Sequence, residues 1–193
     1  MKITTILIYA TFLIYANLSF AKDENHSKKY SQYLYGAMKN LIIHDTKKQV
    51  SDITALLSDS PDNAKLINKR EVVIINFWAT WCPPCLEEMP SLNKLVNTIN
   101  SEDFSVIIIA SGRQSEKKIA TFLEDNKLSN LKSYRDPKGE AASELGIIGL
   151  PTSIIIDQQS NEIGRLIGGA NWNSPPAIKL IRSILDPKKL TEN

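Results

Sequence analysis

Two cysteines stand three positions apart, in Trp81-Cys82-Pro83-Pro84-Cys85, and they are the only two in the 193-residue chain. They follow the apolar run 72–78 and precede a helical stretch, and a Cys-x-x-Cys at a strand-to-helix junction points to thiol–disulfide chemistry. The attacking species in that chemistry is a thiolate, whose pKa falls at a helix N-terminus where unpaired N–H groups favour negative charge. Cys82 occupies that end and is the candidate nucleophile. Cys85 is close enough to cut the mixed disulfide and close the intramolecular bridge. Pro83 and Pro84 suit a first helical turn, where their missing N–H groups would have no partner anyway.

Other uses of the pair fit less well. A structural zinc site needs about four ligands, and no second Cys-x-x-Cys exists; only His26 and His44 could add to it, both far upstream. Covalent haem attachment needs His after the second Cys, where Leu86 stands. A purely structural bridge would close a very small loop and gain little chain entropy. We therefore expect no metal and no cofactor beyond a redox-active Cys82–Cys85 disulfide.

Elements must position these residues. Residues 1–21 carry Lys2, an apolar stretch 3–20 and small residues at the two positions a signal peptidase reads, so the segment reads as a signal peptide or membrane anchor. Either fate places the rest outside the cytoplasm, in the periplasm. Without that segment 22 basic and 21 acidic residues remain. This balance, with no basic stripe, argues against a nucleic-acid partner. We divide the remainder into an N-terminal extension or linker (22–60), one globular domain (61–186) and a polar tail (187–193). Short helices are expected over 30–41 and 50–57. Buried strands are expected at 72–78 and 104–110, and helices at 83–100 (kinked at Pro90) and 116–126. A short strand at 131–135, a helical turn at 140–145, strands at 153–157 and 162–167 and a helix at 175–185 complete a three-layer α/β pattern.

Asn76-Phe77-Trp78-Ala79-Thr80-Trp81-Cys82-Pro83-Pro84-Cys85 with Glu88 and Pro90 resembles the active-site segment of the TlpA/ResA group of extracytoplasmic thioredoxin-like proteins. Gly149-Leu150-Pro151-Thr152-Ser153-Ile154-Ile155-Ile156-Asp157 resembles the group's second signature, and Ile167-Gly168-Gly169-Ala170-Asn171-Trp172 is similar to TlpA itself. The resemblance covers roughly 41–185. It implies an α/β thioredoxin fold, a central mixed β-sheet flanked by helices, with a central insertion over 115–133 and the N-terminal extension. It also implies a protein disulfide reductase. Pro151 would be the cis-proline facing the cysteines, with Leu150 and Thr152 beside it pairing with a client strand. Trp81, Pro83 and Pro84 would border the client groove.

The buried carboxylate of cytoplasmic thioredoxin would fall at Asn76, which cannot exchange a proton. Glu88, one turn after Cys85, is the possible acid/base in its place; read without the family it is a helix residue near solvent. Trp78, Phe77 and Trp172 read as core. The implied clients are disulfide-containing proteins, either those that mature the copper sites of cytochrome oxidase or apocytochrome c. The TlpA-like signature favours the copper route. A reductase in an oxidising compartment needs a membrane electron donor, of the CcdA/DsbD kind. Two other readings are a DsbA-like oxidant using the same motif and a Sco-like copper-binding module. The last needs wider cysteine spacing and a downstream His, and no His follows His44.

Overall fold

The computed structural model describes residues 26–58, 66–67 and 70–186. The segments assigned above to export (1–21) and to the tail (187–193) lie outside the described residues. A short helix α1 (His26–Tyr30) leads through two 3-10 turns into β1 (Leu41–Gln49). Then come β2 (Val72–Trp78), α2 (Pro83–Ile99), β3 (Phe104–Ser111), α3 (Glu116–Asp125), β4 (Lys132–Asp136), α4 (Glu140–Glu144), β5 (Thr152–Ile156), β6 (Asn161–Ile167) and α5 (Pro175–Leu185).

The six strands form one mixed sheet in the order β1-β6-β5-β2-β3-β4. The pairs β2/β3 and β3/β4 are parallel, each joined by a helical crossover, while β2/β5, β5/β6 and β1/β6 are antiparallel. β2 is central and wholly buried, so it is apolar without alternation, as a strand covered on both faces must be. Its pleat divides it between two cores. Val72, Ile74 and Trp78 join α2, α3 and α5 on one face; Val73, Ile75 and Phe77 join Ala141 and Leu145 on the other. Asn76 shares the parity of Ile74 and Trp78, so its side chain points to the α2 face. Each buried isoleucine of such a strand contributes about 1.5–3 kcal/mol.

Two expectations are corrected. Residues 30–41 and 50–57 do not form the short helices read from their apolar spacing; they hold only 3-10 turns at Ser31–Tyr33, Gly36–Met38 and Thr54–Leu56. Between them β1 adds an edge strand that periodicity did not reveal, because six of its nine residues are exposed. It is locked to β6 at Gly164, where a Cβ would lie 2.7 Å from the Ile42 carbonyl oxygen. As expected, α2 is one helix with Pro90 inside it. Pro90 is exposed, and the next residue, Ser91, donates its hydroxyl to the Glu88 carbonyl at 2.7 Å.

Candidate active site

Cys82 is the N-cap of α2, and Pro83 and Pro84 form its first turn. No side chain caps this end, so the field of the helix N-terminus acts on the Cys82 sulfur. Cys82 and Cys85 are joined by a disulfide, with Cα atoms 5.3 Å apart. The Cys82 carbonyl accepts from the Cys85 and Leu86 amides, and its own N–H donates to Ala79 O at 3.1 Å. Both cysteines are nearly closed off from solvent, whereas Trp81 stands 70 % exposed.

The second half of the site is carried by β5. Thr152 pairs with Phe77 of β2, which sets the preceding residue beside the end of β2 from which the cysteine loop departs. That residue is Pro151, and the Leu150–Pro151 bond is cis. The Pro151 carbonyl accepts from Gly168 N–H at 2.8 Å. Gly169 then passes so close to the active-site helix that a Cβ would lie 3.2 Å from Pro84 O. Leu150 packs between the two cores. Thr152 is buried and donates its hydroxyl to Gly149 O at 2.7 Å, supporting the loop from beneath.

Glu88 is not near solvent. It is 3 % exposed and sits in the buried stripe of α2 with Cys85, Met89, Leu92 and Leu95. Three N–H donors hold its carboxylate: Asn76 Nδ2 at 2.7 Å on Oε1, and Ala170 N (3.0 Å) and Trp172 Nε1 (3.3 Å) on Oε2. Burial pushes the Glu88 carboxyl up to about 7, and the bonds from Ala170, Asn76 and Trp172 only partly offset it. Asn76 Nδ2 also donates to Ser153 Oγ at 2.9 Å. Beside Glu88 a cavity of about 610 Å³ opens between α2 and the loop before α5, lined by Pro84, Glu87, Ser91, Lys94 and Asn171 among others. It offers a route for protons to a carboxyl otherwise sealed in the core.

Sequence reasoning missed two contributors. Trp172 is core, as expected, but its indole also serves Glu88. Gln114, in the β3–α3 connection, accepts from Thr80 N–H at 2.7 Å and donates to Ser111 O at 2.8 Å, bracing the cysteine loop. Its only sequence signal was its place after a strand end, where loops reach active sites.

The Redoxin family model matches residues 36–179. The sporulation thiol-disulfide oxidoreductase A of Bacillus subtilis is 28 % identical over 100 residues, which cover 51 % of this chain and 60 % of that one. A ResA thiol-disulfide oxidoreductase of Oceanobacillus iheyensis is 25 % identical over 165 residues, covering 86 % and 78 %. Against the first three curated relatives the match spans only 57 to 60 % of their length. The crystal structure of a DsbF homologue from Corynebacterium diphtheriae superposes with a TM-score of 0.61 at 24 % identity, over 77 % of this chain and 96 % of that one. That of StoA from Bacillus subtilis does so at 0.53 and 22 %, over 75 % and 99 %. With its cysteine pair at a helix N-terminus and a cis-proline before β5, the chain has the thioredoxin-like fold and belongs to the Redoxin family.

Proposed function

We propose that the chain is an extracytoplasmic thiol:disulfide oxidoreductase that reduces disulfides in client proteins. The observation that carries this reading is the Cys82–Cys85 disulfide at the α2 N-terminus with the buried Glu88 carboxyl one turn below. The names of its relatives, thiol-disulfide oxidoreductases of the ResA kind, support it.

In the reduced enzyme the Cys82 thiolate attacks a client disulfide. A mixed disulfide forms and one client sulfur leaves as thiolate. Glu88 in its carboxylate form takes the proton of the Cys85 thiol, directly or through water from the adjoining cavity. The Cys85 thiolate then attacks Cys82 sulfur, the second client sulfur leaves, and the Cys82–Cys85 bridge closes. Two electrons have passed to the client, and Glu88 holds a proton it can return when the bridge is next reduced. A membrane electron donor of the CcdA/DsbD kind reloads the pair. Trp81, Pro83 and Pro84 on one side and Leu150 and Pro151 on the other frame the approach of the client backbone, while Thr152, buried and paired with Phe77 and Ile167 in the sheet, holds that loop from below.

The TlpA-like segment 167–172 supports copper-site maturation proteins of cytochrome oxidase as clients, with apocytochrome c the competing client. Export rests on residues 1–21; among the described residues no helix is long and apolar enough to cross a membrane. The test is the reduction potential of the chain, followed by its rate with each client. A potential of about −270 to −200 mV supports a reductase, whereas about −120 mV marks a disulfide-forming oxidant and overturns the assignment.

A further inference from the structure

Asn76 sits at the centre of β2, fully buried, and is the polar member of a run of apolar residues. Its Nδ2 serves both Glu88 Oε1 and Ser153 Oγ. Its Oδ1 has no partner. A buried amide oxygen left unpaired is uncommon and calls for a reason. Glu88 supplies one through the way its two oxygens are occupied. Oε2 accepts from Ala170 N–H and Trp172 Nε1–H, and both groups can only donate. A proton taken up by Glu88 therefore goes to Oε1, the oxygen that faces Asn76. Nδ2 can offer that proton no acceptor, and Oε1 has no other hydrogen-bond partner among the described residues.

An amide is nearly symmetric in shape, and half a turn about χ2 exchanges its nitrogen and oxygen within the same volume. Ser153 can follow, because a hydroxyl either donates or accepts. We propose that Asn76 is a two-way switch for Glu88: it donates through Nδ2 to the ionised carboxylate and, after half a turn, accepts through Oδ1 from the protonated one. Asn76 is thus a positioning residue with a bond to Glu88 in both protonation states, and the turn leaves Nδ2 rather than Oδ1 at the end without a partner. The inference rests on the acid/base role given to Glu88 above.

Few other titratable groups adjoin Glu88 among the described residues. The neighbouring cavity brings in Glu87 and Lys94, both from α2, and the loop before α5 adds the uncharged Asn171 and Asn173. β5 contributes the Ser153 hydroxyl, and the N-terminal turn of α2 contributes the Cys82 and Cys85 thiols once the bridge is open. The Glu88 midpoint near 7 puts both states within reach at neutral pH.

The experiment is an NMR pH titration of the full chain, labelled with ¹³C and ¹⁵N, following the Glu88 carboxyl carbon and the Asn76 side-chain amide together. Above the Glu88 midpoint the Asn76 amide protons should show NOEs to the Ser153 β-protons; below it these NOEs should vanish. Persistence of the NOEs on both sides of the midpoint overturns the switch. In Asn76→Leu the switch predicts an almost unmoved Glu88 midpoint, because each state loses one bond. A fixed donor predicts a rise of about one unit, a tenfold shift, and that rise would overturn the proposal. The acid/base role is read separately from the pH profile of client reduction. A profile without an inflection at the Glu88 midpoint would remove that role, while the NOEs still decide whether the amide turns.

Discussion

The indole N–H of Trp172 donates to Glu88 Oε2 at 3.3 Å, across 84 positions of sequence. The bond joins the loop before α5 to the active-site helix and favours the ionised carboxyl. Trp172→Phe keeps most of the packing and removes that donor. The Glu88 midpoint should rise by a few tenths to about one unit, the worth of one hydrogen bond. Titration of the Glu88 carboxyl carbon checks this, and an unmoved midpoint would show that the indole bond has no weight.

Glu88 should also make the fold's stability depend on pH. Its folded value of about 7 lies above the ordinary 4.5, so between these pH values the folded chain binds the proton more tightly than the unfolded one. Stability is then complete below about 4.5 and declines as pH rises to about 7, by up to about 3 kcal/mol. Glu88→Gln should flatten this slope and leave the protein more stable than its parent above pH 7, as denaturant melts across pH will show. The same variant should lose on the order of 100-fold in client reduction at neutral pH, together with the inflection near 7.

The two cysteines should separate by role. Cys82→Ser cannot form a mixed disulfide, while Cys85→Ser forms one and cannot release it. Non-reducing electrophoresis with a disulfide-bonded client distinguishes the two. Preferential alkylation of Cys85 rather than Cys82 in the reduced chain at low pH would reverse the assignment.

A buried ionic network secures the sheet edge. Glu162, 1 % exposed, accepts from Arg165 Nε at 2.6 Å and lies 2.8 Å from His44 Nε2. Arg165 also donates to the carbonyls of Leu145 and Gly146 beyond α4. Burial pushes the Glu162 carboxyl up, but the bonds from Arg165 and His44 outweigh it and hold the group below its ordinary value. Its stabilisation is therefore present above the ordinary carboxylate range and lost as pH falls through the depressed value. Arg165→Ala should cost about 3 kcal/mol and bring acid unfolding to a higher pH. A loss below about 1 kcal/mol would show that His44 alone suffices.

Much of this was legible in the residues. The apolar runs of β2 and β3 and the polar turn between β5 and β6 declared themselves, and α5 matches its expected span of 175–185. β1 did not, since an edge strand with exposed Lys47 and Lys48 carries no alternation strong enough to read. The burial of Glu88 was available in principle. It falls three after Cys85 and four before Leu92, on the stripe that any amphipathic reading of α2 turns inward. Without the family resemblance a charged residue in that stripe reads as surface, because its partners, Asn76, Ala170 and Trp172, lie 12 to 84 positions away. Such partners exist only once the sheet is assembled.

Asn76 and Ser153 are direct cross-strand partners in the β2/β5 ladder. Around them the two strands are largely interchangeable, Val-Val-Ile-Ile against Ile-Ile-Ile, and purely apolar contacts would tolerate sliding by two residues. Such a slide would set Asn76 opposite Pro151 or Ile155 and cost it the bond to Ser153, while a slide by one would turn it to the other face. The polar pair thus labels one alignment of two otherwise repetitive strands. A chain that assembles out of step forfeits the Asn76–Ser153 bond, so the polar pair marks the correct alignment of the core.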